Sequence, residues 1–231
     1  MYKRIGIIGG LSPESTVEYY LYLTRTYTQR FGTSAYPEVI IYSVSFQSYA
    51  DWPAQGRWDL VAHGLSEAAC KLEAAGADFI VISANTMHMV VNEVSQAVRI
   101  PVLSLLDVVA DAVAGRGFKT VGLLGTRYTM EQDFFPKALA ARGIQTLVPE
   151  AEERQYINGV IYNELVKGQF KPEARQGYVE IIQRLARRGA EGVILGCTEI
   201  PLLVSEADAG LPLFNTTTLH AGAALEYALR E

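Results

Sequence analysis

One cysteine has the type and setting of a residue that could move protons. Cys197 follows the apolar run Gly192 to Gly196 and opens the sequence Cys-Thr-Glu. Such a run is typical of a buried parallel strand, and ligands of open α/β sheets bind at the carboxyl ends of these strands. We expect a helix just beyond Cys197, whose N–H groups and partial positive charge would lower the pKa of the thiol. Cys197 is therefore a candidate acid or base near neutral pH, and a buried inert thiol is the alternative.

A turn near the start of the sequence could bind an anion. Residues 3–8 read as a short strand, and Gly-Gly follows at 9–10. Ser12 is a suitable N-cap and Pro13 suits the first helical position, so we expect a helix over residues 13–30. A strand, a glycine turn and a helix N-terminus together predict an anion site.

Alternating elements position these residues. Beyond the first strand and helix, the pattern predicts strands at 38–44, 78–82 and 100–104 and helices at 59–75, 88–99 and 105–114. This alternation indicates a parallel sheet with right-handed crossovers. The stretch 45–58, which contains Gln55, reads as a long loop that could serve as a lid or binding loop.

Three segments of the first half recur in the same order in the second half. Residues 118–126 echo 2–10, residues 190–199 echo 77–86, and residues 211–215 echo 100–104, at offsets of 116, 113 and 111. Ordered echoes with a slowly drifting offset indicate a duplicated unit. We predict two similar parallel-sheet, flavodoxin-like α/β domains, residues 1–115 and 116–211, related by pseudo-twofold symmetry with the active site in the cleft between them.

The duplication pairs Cys197 with Ala84, which holds the same place after the third strand. Helix N-termini and small polar residues in both halves suit a small ligand that carries carboxylates. The predicted hydrogen-bonding residues are Ser12, Asn85, Thr86, Thr126 and Thr198. Helix capping is the alternative role for each of them.

Four motifs, Gly9 to Pro13, Asn85 to His88, Leu124 to Thr126 and Gly196 to Glu199, carry a resemblance over the whole chain. In order and spacing the chain resembles the cofactor-independent aspartate/glutamate racemases. The resemblance implies a two-domain fold, no cofactor, and two cysteines that flank the substrate α-carbon, of which Cys197 matches one. It also implies a homodimer, and a C-terminal segment, about 212–231, that packs back on the first domain.

The resemblance assigns carboxylate contacts to the glycine turn, to the Asn-Thr and Gly-Thr positions and to a lysine that Lys167 loosely matches. A solvated helix-end lysine is the alternative for Lys167. His88 is expected to cap or pack, with a general base as the alternative. The predicted substrate-binding set is Gly10, Leu11, Ser12, Gln55, Asn85, Thr86, Thr126, Lys167, Thr198 and Glu199.

The chain departs from this family at one position. Ala84 stands where the family has a cysteine before Asn-Thr, and a methyl group cannot transfer a proton. Ser83 or Thr86 could act on that face, directly or through water, although hydroxyls are poor acids and bases and predict slow or direction-biased turnover. Alternatively, Ala84 is a deliberate replacement that traps substrate, or the chain is a one-thiol member of the wider superfamily, which includes decarboxylases and isomerases.

Composition narrows the classes of function. The 231 residues are 49% hydrophobic, enough for one large core or two small ones. The net charge is −5 with dispersed basic residues, which indicates no nucleic-acid or membrane surface. No apolar run approaches the roughly 20 residues of a membrane span, so we expect a soluble, cytoplasmic protein.

The remaining reactive side chains point to neither disulfide nor metal. Cys70 and Cys197 lie far apart, and we expect Cys70 in the core beneath its helix. The three histidines lack metal-ligand spacing. No nucleotide-binding glycine motif occurs, and no lysine has a setting suited to pyridoxal.

Our first hypothesis is therefore a cofactor-independent racemase of aspartate or glutamate that uses Cys197 as acid and base. The alternatives are a single-thiol lyase or isomerase, decarboxylase-like, acting on a small dicarboxylate, an inactivated substrate-trapping form of the racemase, and a binding protein without activity.

Overall fold

The computed structural model describes residues 2–230. The strands are β1 (Ile5–Gly9), β2 (Val39–Ser43), β3 (Phe79–Ile82), β4 (Thr120–Gly125), β5 (Gln145–Leu147), β6 (Gly192–Gly196) and β7 (Leu213–Asn215). The helices are α1 (Pro13–Phe31), α2 (Phe46–Ala54), α3 (Trp58–Ala74), α4 (Val91–Ala97), α5 (Leu105–Gly115), α6 (Arg127–Glu131), α7 (Phe134–Ala140), α8 (Ala151–Asn163), α9 (Pro172–Arg187), α10 (Ile200–Leu203), α11 (Glu206–Ala209) and α12 (Thr216–Leu229). Short 3₁₀ helices span Thr86–Val90 and Leu165–Lys167.

The chain divides into two units. Unit 1 comprises the residues up to Leu105 together with those from His220 onward, and unit 2 comprises Leu106–Leu219. Unit 1 holds a parallel sheet of order β2-β1-β3, and unit 2 holds a parallel sheet of order β5-β4-β6-β7. Of the strands that end at predicted site residues, β1, β4 and β6 are central and buried, as their continuous apolar sequences require. β3 is also buried but lies at the edge of its three-stranded sheet. The predicted parallel α/β class is confirmed.

Strand register shows the duplication independently of sequence likeness. In unit 1 Ile8 pairs with Ile82, and in unit 2 Leu124 pairs with Leu195. The offsets of 116 and 113 found in the sequence relate these two pairs residue for residue. The segments that follow β3 and β6 therefore hold equivalent places in their own sheets, so that Ala84 and Cys197 are structural counterparts.

The predicted strand at 100–104 is wrong in extent. Val102 makes only an isolated parallel bridge to Ile80, whereas its counterpart Leu213 lies in β7 and pairs with Val193. Both segments carry a proline, at positions 101 and 212, so the proline does not account for the difference. In the first repeat the pairing is limited to the hydrogen bonds of Ile80 with Pro101 and Leu103.

The last helix of each repeat packs in the unit built from the other repeat. From Leu106 onward α5 belongs to unit 2, where Arg142 forms ion pairs of 2.8 Å with both Asp107 and Asp111 of this helix. The sequence interpretation placed residues 106–115 in the first domain, and these contacts account for the difference.

Helix α12 makes the reciprocal exchange. From His220 onward it belongs to unit 1, and its small buried face, which includes Leu225, packs in one apolar cluster with Tyr19 of α1 and Phe79 of β3. The segment that joins unit 1 therefore begins at 220 rather than near 212, because β7 and the first turn of α12 stay with the sheet of unit 2.

Two further expectations are wrong. Most of the predicted loop 45–58 is α2, in which Tyr49 and Pro53 are buried and the Tyr49 ring packs against Trp52. Apolar residues three and four apart gave this stretch a helical face. Cys70 is exposed, because the buried face of α3 is formed by residues such as Leu65 and Leu72.

Candidate active site

The glycine turn of unit 1 is built by tight backbone packing. Gly10 has φ of 78°, and a Cβ built there would lie 2.2 Å from the carbonyl oxygen of Val44, so only glycine fits. The Gly10 N–H donates to Thr16 Oγ1 at 2.8 Å. Ser12 caps α1 as predicted, its side chain accepting from the Ser15 N–H at 3.3 Å. Leu11 is buried beside it.

The segment after β3 brings the other predicted residues of unit 1 together. Ser83 is fully buried, and its hydroxyl donates to the carbonyl of Ile8 at 3.1 Å. Ala84 is 8% exposed and Asn85 is also buried, whereas Thr86 is half-buried at the start of a 3₁₀ helix. This geometry favours Thr86 over Ser83 as a group that can reach a ligand.

The thiol of unit 2 lies at the end of β6. Cys197 is 8% exposed, within an apolar cluster that includes Ile157 and Tyr178. Its Sγ donates to Glu199 Oε2 at 3.0 Å, and Thr198 Oγ1 donates to the same oxygen at 2.8 Å. Glu199 is itself 4% exposed. Thiol and carboxylate thus form a buried hydrogen-bonded pair in which the thiol is the donor.

The predicted lowering of the Cys197 pKa is wrong. Burial raises the pKa of the thiol well above its usual value, and the charge and hydrogen bond of Glu199 raise it further. The backbone N–H groups of Thr198 and Glu199 lower the pKa, but by less. The helix expected beyond Cys197 is only the four-residue α10, which begins at Ile200, so its dipole is small.

Thr126, at the end of β4, serves as a helix cap. It is buried, and its Oγ1 accepts from the Thr129 N–H at 3.3 Å at the start of α6. This was the alternative role for the residue. In the duplication Thr126 corresponds to Gly10, so both turns after the first strand of a repeat are closed by short-range hydrogen bonds.

Tyr162, on α8, belongs to the surroundings of the thiol and was missed by sequence reasoning. Tyr162 is 38% exposed, and partial burial raises its pKa to about 12; the Cys197, Tyr128 and Glu199 groups raise the pKa in the same direction. Arg127 opposes them. No local motif marks this tyrosine, because its position depends on how α8 packs against β4.

Two predicted residues are exposed. Gln55 caps the C-terminus of α2 in unit 1, and Lys167 ends a 3₁₀ helix in unit 2. Both differ in this respect from the buried residues at the strand ends. Within residues 2–230 no group of three or more His, Cys, Asp or Glu side chains could hold a metal ion. None of the helices in that range is long and apolar enough to cross a membrane.

These features of the site are typical of a known class of isomerases. The class has two duplicated α/β units, and here a cysteine and a small polar loop follow the matching strands. The chain belongs to the Asp/Glu/Hydantoin racemase family, whose sequence profile matches residues 8–224. It is 26% identical over 216 residues to the broad specificity amino-acid racemase RacX of Bacillus subtilis (strain 168), covering 92% of each chain.

Two solved structures agree with this assignment over the full length. The chain is 41% identical to a putative Asp/Glu racemase from Yersinia pestis, with a TM-score of 0.92, 99% of this chain and 100% of the other being covered. It is 39% identical to an aspartate racemase homologue from Pyrococcus horikoshii OT3, with a TM-score of 0.85 and all of both chains covered.

Proposed function

We propose that this chain is a cofactor-independent amino-acid racemase that acts on aspartate or glutamate, with Cys197 as its acid and base. The observation that carries the proposal is the buried hydrogen bond between the Cys197 thiol and the Glu199 carboxylate. A thiol at a strand end is ordinary packing, but a carboxylate aimed at its sulfur in an apolar cluster supplies a route for the proton.

The proposed sequence of proton transfers begins inside this pair. Glu199 Oε2 takes the proton from Cys197 Sγ, and the backbone N–H groups of Thr198 and Glu199 support the thiolate that results. The thiolate then accepts the α-hydrogen of the substrate, and the electron pair of the broken C–H bond stays on the substrate as carbanion character at the α-carbon. Return of a proton to the opposite face gives the other enantiomer. The Cys197–Glu199 pair then loses its extra proton to solvent, and the donor on the opposite face regains one from solvent, which restores the starting state.

Unit 1 is proposed to bind the carboxylates of the same amino-acid molecule. The α-hydrogen of an amino acid is weakly acidic, so donors aimed at the carboxylate must stabilise the charge that develops. The start of the 19-residue helix α1, capped by Ser12, supplies such donors. Asn85 and Thr86 supply side-chain donors at the end of β3. By resemblance, Gln55 and Lys167 remain proposed contacts.

The proposed mechanism also needs a group that acts on the substrate face opposite Cys197. By resemblance, Ala84 holds the position of the family's second cysteine. The Ser83 hydroxyl is fully buried and donates to the Ile8 carbonyl, whereas Thr86 is only half-buried. We therefore assign the second transfer to Thr86, directly or through water. Since a hydroxyl is a poor acid and base, α-hydrogen exchange should outpace inversion.

The test is proton NMR of L- and D-aspartate and L- and D-glutamate in deuterium oxide with the purified protein. Loss of the α-proton signal followed by slower appearance of the opposite enantiomer supports the proposal. Absence of exchange with all four amino acids would refute it. Boiled protein and free cysteine are the controls.

A second candidate function is a single-thiol lyase or isomerase on a small dicarboxylate, favoured by the absence of a thiol at Ala84. A decarboxylase would release carbon dioxide and incorporate one solvent deuterium into its product, which the same NMR samples reveal. We further propose a cytoplasmic homodimer, by resemblance, and sedimentation velocity tests the oligomeric state.

A further inference from the structure

Two buried histidines of unit 1 form hydrogen bonds through both of their ring nitrogens. His88 is 1% exposed, and its Nδ1 lies 2.8 Å from the carbonyl oxygen of Ala84. Its Nε2 accepts from the backbone N–H of Leu105 at 3.1 Å. A carbonyl can only accept and an N–H can only donate, so the proton of neutral His88 lies on Nδ1.

His220 takes the opposite tautomer. It is fully buried, its Nε2 lies 2.9 Å from the carbonyl oxygen of Leu103, and its Nδ1 lies 2.8 Å from the Tyr19 hydroxyl. The proton of His220 therefore lies on Nε2, and Tyr19 donates to Nδ1. Burial, followed by the neighbouring His88, lowers the pKa of His220 to about 3, so the ring is neutral.

The two histidines mark the places where the chain leaves and re-enters unit 1: His88 pairs with Leu105, and His220 begins the returning segment. Leu105 is the last residue before the chain passes into unit 2, and His220 is the first residue after it returns. The two rings pack edge to face with centroids 5.7 Å apart. Through its Nδ1, His88 also reaches Ala84, which precedes the proposed substrate-binding residue Asn85.

We propose that His88 and His220, which we call the histidine clamp, are positioning residues. They hold the substrate loop, Ala84–Thr86, in a fixed position relative to the two places, at Leu105 and His220, where the chain passes between units. His88 acts on the loop through the Ala84 carbonyl, and His220 acts through Leu103 and through Tyr19 of α1, the helix that Ser12 caps. The link to substrate binding rests on the proposed function.

The histidine clamp supplies hydrogen-bond partners to buried backbone groups. The buried carbonyl of Ala84 and the buried N–H of Leu105 both pair with the His88 ring, and a buried backbone group that loses its partner costs about 1–3 kcal/mol. Removing the ring therefore drives both segments to move towards water, which displaces the loop that follows Ala84.

Tautomers are the first test, and they need no activity. Long-range ¹H–¹⁵N correlation spectra of the wild-type protein at neutral pH distinguish the protonated ring nitrogen from the bare one. We expect His88 protonated at Nδ1 and His220 protonated at Nε2, with exposed His63 as the internal reference. The same tautomer in both buried rings would overturn the clamp.

Variants form the second test. We expect His88→Leu to raise KM for the amino acid about tenfold, because an energy of about 1.4 kcal/mol in orienting the loop is a factor of ten in affinity. The rate of Cys197 alkylation should stay within about twofold. His88→Asn, whose amide can still donate to Ala84, should fall between, and His63→Leu should change nothing. An unchanged KM in folded His88→Leu would contradict the proposal.

A failure of the proposed function remains separable from a failure of the clamp. If the wild-type protein shows no turnover, the racemase proposal falls, and the clamp is judged by hydrogen exchange at the Leu105 amide. We expect that amide to be protected in wild type and to exchange much faster in His88→Leu. Equal protection in both proteins would overturn the clamp on its own.

Discussion

Cys197 Sγ lies 3.0 Å from Glu199 Oε2, with both side chains more than nine-tenths buried. The thiol, whose pKa is raised, donates to a carboxylate that also accepts a hydrogen bond from Thr198. A thiolate in this setting forms only when the proton has somewhere to go. Glu199, two residues along the chain, thus determines whether the Cys197 thiol can lose its proton.

Replacing Glu199 with glutamine should separate the ionisation of the thiol from its turnover. Loss of the carboxylate charge lowers the pKa of Cys197, so the pH profile of iodoacetamide alkylation should move to lower pH. Turnover should nevertheless fall by about 10²-fold, since an amide cannot take up the proton. The exposed Glu152 offers Glu152→Gln as the matched control. A variant that alkylates and turns over faster would mean that Glu199 restrains the thiol rather than serving it.

Removing the thiol should abolish α-hydrogen exchange. We expect Cys197→Ser to reduce exchange of deuterium into the substrate by at least about 10²-fold, measured by NMR at equal protein concentration. Cys70→Ser is the control, because Cys70 is exposed on α3 of unit 1, and it should keep full activity. Exchange that survives in Cys197→Ser would exclude the mechanism proposed above.

Supplying a second thiol should convert exchange into efficient inversion. In Ala84→Cys we expect the rate of inversion, followed by circular dichroism of aspartate or glutamate, to rise by about 10²-fold or more, because a thiol replaces a hydroxyl as the second acid. Ala84→Ser provides the control of similar size without the thiol. An unchanged ratio of inversion to exchange would argue for the single-thiol lyase or isomerase.

The glycine turn should tolerate no side chain. Gly10 and Gly32 both have positive φ, of 78° and 70°, but a Cβ has open space at Gly32 and collides with the backbone at Gly10. We expect Gly32→Ala to cost about 1–2 kcal/mol in the free energy of unfolding, and Gly10→Ala to cost more than about 3 kcal/mol. Urea titration measures both, and equal costs would contradict the close packing against Val44.

Helix α12 should be indispensable to unit 1. Leu225 is buried against the α1 face of the sheet, so Leu225→Ala should cost about 2–5 kcal/mol. Leu202, which is 45% exposed on α10, supplies Leu202→Ala as a control that should stay within about 0.5 kcal/mol. Thermal and urea unfolding give the comparison, and a similar effect of the two substitutions would place α12 outside the core.

Sequence reasoning succeeded where the signal was local or repeated. The start of α1 was predicted to the residue, because Ser12 and Pro13 act within their own turn. The duplication was found because corresponding strands kept their residues in register, as the pairs Ile8 with Ile82 and Leu124 with Leu195 show.

Sequence reasoning failed where a property depends on packing by distant segments. The pKa of Cys197 follows from its burial by α8 and α9 and from the orientation of Glu199. The local sequence Gly-Cys-Thr-Glu specifies neither of these. The packing of α5 in unit 2 depends on ion pairs with Arg142, some thirty residues away along the chain. The helical period of α2 was present but was hidden by its polar and aromatic composition.

The reciprocal exchange of helices has a consequence for the order in which the chain acquires structure. Unit 2 is continuous, so all of its residues have been synthesised once Leu219 has been added, whereas unit 1 lacks the Leu225 face of its core until α12 exists. Domains usually fold during synthesis from the N-terminal one onward. In this protein β1 is therefore synthesised well before α12, and it stays incompletely covered until α12 has been added.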